Sequence, residues 1–358
     1  MHSIEYTVQK IIAKIHLGNI RYNAEQFAAL TGTRLCAVVK ANAYGHGAEE
    51  VVNALSGVAD HFAVALIEEG VAIRAAACGK DILVFTPPTD EEEGYLLAAN
   101  GFVATVDGLY TAKLLSKVCA KYRLPLQVHL KVNTGMNRYG MNGSMLGRVC
   151  KFLQRDPYIR VTGIYSHLYA HTRAVAEEQR TLFVRMLDIC RRYFPSVIAH
   201  LGATYGALLG QEYAFDMVRI GIGLYGYSPC ETEKISLKKG MSTYAKAVVC
   251  RTYSFGSAGY GDVRKEKGTK LTLCRVGYAD GSLRRRENGM EDSEKNANDL
   301  CMDVCVREGR VARGKYLPVL IDAEQTARKT GTIAYEVLCA ATRRAECIYD
   351  DEITICGE

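Results

Sequence analysis

The chain has 358 residues, long enough for two domains or for one barrel with an appendage, and 45 Lys plus Arg against 39 Asp plus Glu give a net charge of +6. That excess is small for the length and excludes the electrostatic footprint of a nucleic-acid binder or a polybasic membrane anchor. Thirteen cysteines without a C-x-x-C pair give neither a disulfide framework nor a metal site of the zinc type, and fit reduced thiols. No stretch approaches about 18 uninterrupted apolar residues and no basic-then-apolar leader opens the chain, so the expectation is a cytoplasmic protein with no membrane segment in this sequence.

In chain order, the first clear element is the run Arg34-Leu-Cys-Ala-Val-Val-Lys40, followed by a Tyr44-Gly-His-Gly47 turn and a helical segment over 48–55. An apolar run of this kind reads as a buried strand that ends at a lysine. The pattern of apolar run, glycine-bearing or polar turn and helical period then repeats. The runs are 35–39, 62–66, 82–85, 102–106, 126–132, 161–165, 197–201 and 215–220. The helical stripe is clearest at Leu182, Phe183, Met186, Ile189, Cys190 and Tyr193, ahead of Pro195. Strands alternating with helices pair in parallel, and eight such units predict a closed (β/α)8 barrel of the TIM type. An open doubly wound sheet is the competing architecture, weakened because no G-x-G-x-x-G follows the first strand.

After Pro229 the pattern changes. Segments 244–253, 270–276 and 318–321 are β-like, with glycine turns between them and no sustained helical stripe except 324–329. The expected division is therefore a barrel over 1–233 and a mostly β domain over 234–358. The stretch 284–298, including Arg284-Arg-Arg286, is charged and Asn-rich and predicts an exposed loop.

Active sites of such barrels lie at the C-terminal ends of the strands, and phosphate is often held by the loops after strands seven and eight. Lys40 ends the first strand. A lysine there either snorkels its ammonium to the surface or, if desolvated, serves as an amine that forms a Schiff base with a carbonyl cofactor. The loop His200-Leu-Gly-Ala-Thr204-Tyr-Gly206 follows the seventh strand and Arg219-Ile-Gly221-Ile222-Gly223 the eighth. Their glycines let backbone amides approach an anion closely. Together with Lys40 they point to pyridoxal phosphate. Lys131, Arg138, Ser166 and His167 fall on the same rim.

Ala37-Val-Val-Lys-Ala-Asn-Ala-Tyr-Gly-His-Gly47, His129-Leu-Lys-Val-Asn-Thr-Gly-Met-Asn-Arg-Tyr-Gly140, Phe215-Asp-Met-Val-Arg-Ile-Gly-Ile-Gly-Leu-Tyr-Gly226, Gly277-Tyr-Ala-Asp-Gly281 and Gly331-Thr-Ile-Ala-Tyr-Glu-Val-Leu-Cys339 resemble the alanine racemase family, in order and over nearly the whole chain. The resemblance implies a pyridoxal-phosphate barrel followed by a β domain, in a head-to-tail homodimer whose active sites take residues from both subunits. It implies that Lys40 holds the cofactor and moves the α-proton on the D face of a small amino-acid substrate, and that Tyr260, in Ala258-Gly-Tyr-Gly-Asp262, moves it on the L face from the other subunit. A phenol is a poor base unless cations lower its pKa; His167, Arg219 and Arg138 would supply that field. The same carry-over places Arg219 on the pyridine nitrogen and Arg138 on the substrate carboxylate and the tyrosine, with Lys131 as a carbamylated brace for that arginine. Tyr44, Thr204, Gly221, Ile222 and Tyr335 fall on the phosphate-contact positions, and Met302-Asp303 on the pair at the substrate's way in.

Some positions depart from the family pattern. Ala203-Thr204 stands where Asn-Ser is usual, Ser282-Leu283-Arg284 where an aromatic-Pro-Arg is usual, and the segment 305–331 is short. Three other functions share parts of this pattern. A serine racemase on the same scaffold tends to have a smaller polar residue at position 335, and a decarboxylase of this barrel type uses an acidic partner where Arg219 stands. A non-catalytic pyridoxal-phosphate-binding protein lacks the second domain that carries Tyr260 and Met302-Asp303.

Overall fold

The structure is a computed structural model that describes residues 11–169, 172–231, 233–260, 263–284 and 300–349. Two compact units are present: one holds Gly18–Ala43 and Ala48–Lys238, the other the described residues up to Leu17, Tyr44–Gly47 and those from Lys239 onward.

The first unit is the barrel. After β1 (Ile11–Ile15), which belongs to the second unit, come β2 (Arg34–Val38), β3 (His61–Val64), β4 (Ile82–Val84), β5 (Val103–Val106), β6 (Leu126–Lys131), β7 (Ile159–Tyr165), β8 (Ile198–His200) and β9 (Met217–Ile220). They form one parallel sheet in the order β8-β7-β6-β5-β4-β3-β2-β9. Asp216 N–H donates to Ala199 O and Arg219 N–H to Gly202 O, each at 3.0 Å, which joins the two ends. Each strand coincides with one of the eight apolar runs. The match has a physical reason: strands of a parallel barrel are covered by helices outside and by packed side chains inside, so nearly every position is buried and apolar. Helix Arg173–Arg191 buries Phe183, Met186 and Cys190 of the predicted stripe and adds Ala176, Gln179 and Leu187. Fully buried rings such as Phe27, Phe62, Phe102 and Phe183 each contribute about 1.5–3 kcal/mol of transfer free energy.

The second unit is a mixed sheet ordered β12-β11-β10-β1-β14, with β13 on β10. Its strands are β10 (Met241–Thr252), β11 (Lys270–Cys274), β12 (Cys305–Glu308), β13 (Tyr316–Leu320) and β14 (Ala345–Tyr349). β1 lies antiparallel to β10 and parallel to β14, so residues the linear division assigns to the barrel serve as a central strand here. A five-residue strand with buried, half-buried alternation says that it is covered on one face only; it does not say by which sheet. A helix at Ala323–Thr330 matches the predicted 324–329 stripe, and a second at Ala334–Ala341 was not expected. It is only eight residues long, three of them alanine, which gives little periodicity to read. Of the expected exposed loop, the part from 285 to 298 lies outside the described residues.

The Gly277–Gly281 motif has a local reason. Tyr278 and Ala279 N–H groups donate to the carbonyls of Cys301 and Met302, and Asp280 accepts from Gly277 N–H at 2.8 Å. Gly281 takes φ +98° and lies so close to the Ala340 carbonyl that a Cβ there would collide with it. Gly281→Ala should therefore destabilise this unit by about 2–3 kcal/mol. Urea unfolding followed by tyrosine fluorescence checks this; an unchanged midpoint would contradict the account.

Candidate active site

Polar side chains collect at the C-terminal ends of the barrel strands. Lys40, half-buried, opens a short helical turn, Lys40–Gly45, immediately after β2. Ala41, Asn42, Ala43 and Tyr44 have φ of +52°, +52°, +53° and +55°, so the turn is left-handed. For residues with a Cβ that costs roughly 1–2 kcal/mol each. It persists because the surroundings over-determine it. Ala43 N–H donates to Val39 O at 2.8 Å. The Glu69 carboxylate accepts from the N–H groups of Ala41 at 2.7 Å, Ala65 at 2.8 Å and Leu66 at 3.1 Å. Asn42 Oδ1 accepts from Ala48 N–H at 2.8 Å, where the next helix, Ala48–Leu55, begins. The lysine thus leaves the strand from a rigid, strained anchor rather than from an ordinary turn.

Arg219 is buried in β9. Its Nη1 donates to His200 Nδ1 at 3.0 Å and His200 O at 2.8 Å, and its Nη2 to Ser166 O at 2.6 Å and Leu201 O at 3.3 Å. None of these bonds uses Nε–H, which has no acceptor among the described residues. Burial pushes the guanidinium down to about 10, still far above neutrality, so it stays a donor. The residues fit a ring nitrogen that accepts a hydrogen bond, which is what the pyridine of pyridoxal phosphate offers.

Around this cation the neighbouring bases are displaced towards their uncharged forms. His200 is held well below the usual histidine value by burial first and then by Arg219 and His129. His129 is pushed down to about 3 by burial, then by His61 and Arg219. His167 is lowered by burial and then by Arg219, Lys131, Arg138 and Lys40. Lys131, buried with Nζ 4.5 Å from the Tyr165 ring centroid, falls well below the usual lysine value through burial, Arg219 and Arg138. Tyr165 stacks on His200 at 4.9 Å and 10° and bonds Thr105 Oγ1 at 2.8 Å. Arg138 is exposed in the loop after β6.

The loops after β8 and β9 meet at Thr204, whose Oγ1 accepts from Gly223 N–H at 3.2 Å. The short helix Thr204–Leu209 starts at Ala203 with no side-chain cap, since alanine offers no acceptor. Two glycines that suggested an anion cradle also have a packing reason. A Cβ at Gly202 would lie 2.8 Å from Tyr213 O, and one at Gly223 2.5 Å from the Phe27 ring. Gly221 and Ile222 are buried in the same turn.

Within the second unit, Tyr335 meets Tyr44 with ring centroids 5.9 Å apart, and burial raises both phenols. Tyr260 is 61% exposed and Met302 53%. Asp303 pairs with Arg344 at 3.1 Å, which also reaches Asp280 at 3.2 Å. Gly261 and Asp262 of the Tyr260 motif lie outside the described residues. The barrel unit therefore brings Lys40, Lys131, Arg138 and Arg219 each within electrostatic reach of His167. The sequence alone gives Tyr165, His129, His200 and Glu69 no individual role. His129 had a signal: it sits two residues before Lys131 in β6, hence on the same face of the strand.

The buried histidines set a direction for pH. Their folded pKa values lie below the unfolded value near 6.5, so below that pH the unfolded chain binds more protons and stability is lost progressively down towards about 3, the value for His129. Lys131 acts in the same sense at alkaline pH. The urea midpoint should fall between about pH 7 and pH 5, above the carboxylate range; a flat profile there would contradict the neutral assignments.

Residues 15–229 match the family described as alanine racemase, N-terminal domain, and residues 241–349 alanine racemase, C-terminal domain. An alanine racemase of Lactobacillus delbrueckii subsp. bulgaricus is 31% identical, over 94% of this chain and 97% of its own length. A solved alanine racemase structure from Clostridium difficile 630 superposes with a TM-score of 0.86 at 26% identity, over 96% of each chain. Another, from Bartonella henselae with covalently bound pyridoxal phosphate, does so with a TM-score of 0.82 at 26% identity, over 95% of this chain and 99% of its own.

Proposed function

Because the chain belongs to the alanine racemase family, we propose that it interconverts L- and D-alanine with pyridoxal phosphate as cofactor. The observation that supports this most is the buried Arg219, a permanent donor whose Nε–H has no acceptor among the described residues, on the same rim as the strand-end Lys40. When bound, the cofactor supplies a conjugated ring that takes up the electrons of the substrate's Cα–H bond. An arginine on the ring nitrogen keeps its own proton and moderates that electron demand, which favours return of a proton to Cα over further chemistry.

In this reading Lys40 holds the cofactor and exchanges the α-proton on one face, and Tyr260 does so on the other. Two opposed groups are needed because a single base would return the proton to the side it left. Arg138 orients the substrate carboxylate. His167, displaced towards its uncharged form by burial first and then by its basic neighbours, led by Arg219, belongs to the cofactor site. Thr204, Gly221, Ile222, Tyr44 and Tyr335 serve the phosphate. Lys131 is a buried amine displaced towards its uncharged form, with no carboxylate paired to it among the described residues. That is the form that adds carbon dioxide and releases a proton, and the resulting carbamate would give Arg138 an anionic brace. The exposure of Tyr260 and Met302 supports the reading that they complete the site of a second copy in a homodimer. Twelve free cysteines among the described residues are compatible with the reducing cytoplasm, where we place the protein.

Lys40→Ala should remove the covalent cofactor absorbance and all racemisation. Tyr260→Phe should keep that absorbance while slowing both directions by about 100-fold or more, in the range of a lost general acid–base. Solvent deuterium incorporation into alanine measures each face. Unchanged rates in Tyr260→Phe would remove the two-base assignment.

A further inference from the structure

Behind Arg219 the barrel interior holds a chain of rings. His200 Nε2 lies 3.0 Å from His129 Nδ1, and the two rings meet edge-on, with centroids 4.9 Å apart at 64°. All three residues are at most 3% exposed. The polarity of this chain is fixed from one end. Guanidinium has only donors, so His200 Nδ1 must be the acceptor of the Arg219 bond. A neutral His200 then carries its proton on Nε2 and donates it to His129 Nδ1.

The backbone is built to admit this contact. His129 stands on β6 and His200 on β8, with β7 between them. The β7 residue opposite His129 is Gly163, and a Cβ there would come within 2.5 Å of His129 Nε2 and Cδ2. The missing side chain is the slot through which His129 crosses to its partner. Tyr165 closes the opposite side by stacking on His200.

We propose that His129 is a positioning residue for the racemisation reaction: by accepting the Nε2 proton of His200 it locks the tautomer whose Nδ1 lone pair faces Arg219, and so fixes the guanidinium. The inference rests on the proposed function, which places Arg219 against the ring nitrogen. Burial of three groups that must remain neutral or donor-only makes the alternative tautomer costly, since it would point a proton at the guanidinium and leave a lone pair facing a lone pair.

The test compares wild-type holoenzyme with H129N and H129L. Asn carries Oδ1 where His carries Nδ1 and can still accept; Leu fills the space without an acceptor. Long-range proton–nitrogen spectra of histidine-labelled protein read the His200 tautomer directly, and kcat and KM for alanine are measured alongside. Wild type and H129N should show His200 as the single Nε2–H form, with H129N within a few-fold of the wild-type rate. H129L should lose the single tautomer and about 10- to 100-fold in kcat, the range seen when a partner that orients a ligand is removed, with a smaller change in KM. G163A, which evicts the ring without touching a polar atom, should reproduce H129L. An H129L enzyme with native tautomer and rate would overturn the proposal, as would equal rate losses in H129N and H129L with the tautomer intact, which indicates packing alone. If the tautomers behave as stated and wild type itself racemises nothing, the proposed function fails while His129 remains a lock on Arg219.

Discussion

The constraint on which the barrel depends is a single buried positive charge. Taking a guanidinium out of water is expensive, and no carboxylate pairs with Arg219 among the described residues. Its compensation comes from three backbone carbonyls and one imidazole, which are dipoles rather than charges. The neighbouring bases respond in one direction: His200, His129, His167 and Lys131 are each displaced towards the uncharged form, by burial first and with Arg219 among the further causes. A buried cation held by dipoles is a field with a defined direction. A charge that cannot be neutralised by protonation changes suits a site where protons move at nearby atoms.

The second element of the design is strain at Lys40. Four consecutive residues in the left-handed region cost several kcal/mol by the usual accounting, and the compensation is spread over Glu69, Asn42 and the Val39 carbonyl. That arrangement was not legible in the sequence. Left-handed backbone is ordinarily announced by glycine, and here the residues are Ala41, Asn42, Ala43 and Tyr44. Only Asn42 belongs to the types that tolerate the region readily. Glu69 is likewise silent, since an acidic residue in the first turn of a helix has an ordinary reading.

Much else could be read before any coordinates. The eight barrel strands were legible because burial on both faces leaves an uninterrupted apolar run, and the position of Lys40 followed from the end of the first of them. The second unit was read less well. β12 and β14 are short and half-exposed, β1 is separated from its sheet partners by the whole barrel, and Ala334–Ala341 carries little amphipathic contrast. Those features depend on long-range pairing, for which local periodicity holds no information. The histidine chain behind Arg219 is of the same kind: strand alternation puts His129 inside, but the partner two strands away appears only once Gly163 is seen between them.

The family pattern, the strand-end lysine and the isolated guanidinium converge on proton exchange at the α-carbon of a small amino acid. Chiral chromatography of L-alanine and, separately, L-serine after incubation with the purified protein and pyridoxal phosphate tests that claim most directly. The account predicts D-alanine approaching equal amounts with L-alanine, well ahead of any D-serine. D-serine appearing first, or no D-amino acid from a protein that has bound the cofactor, would contradict it.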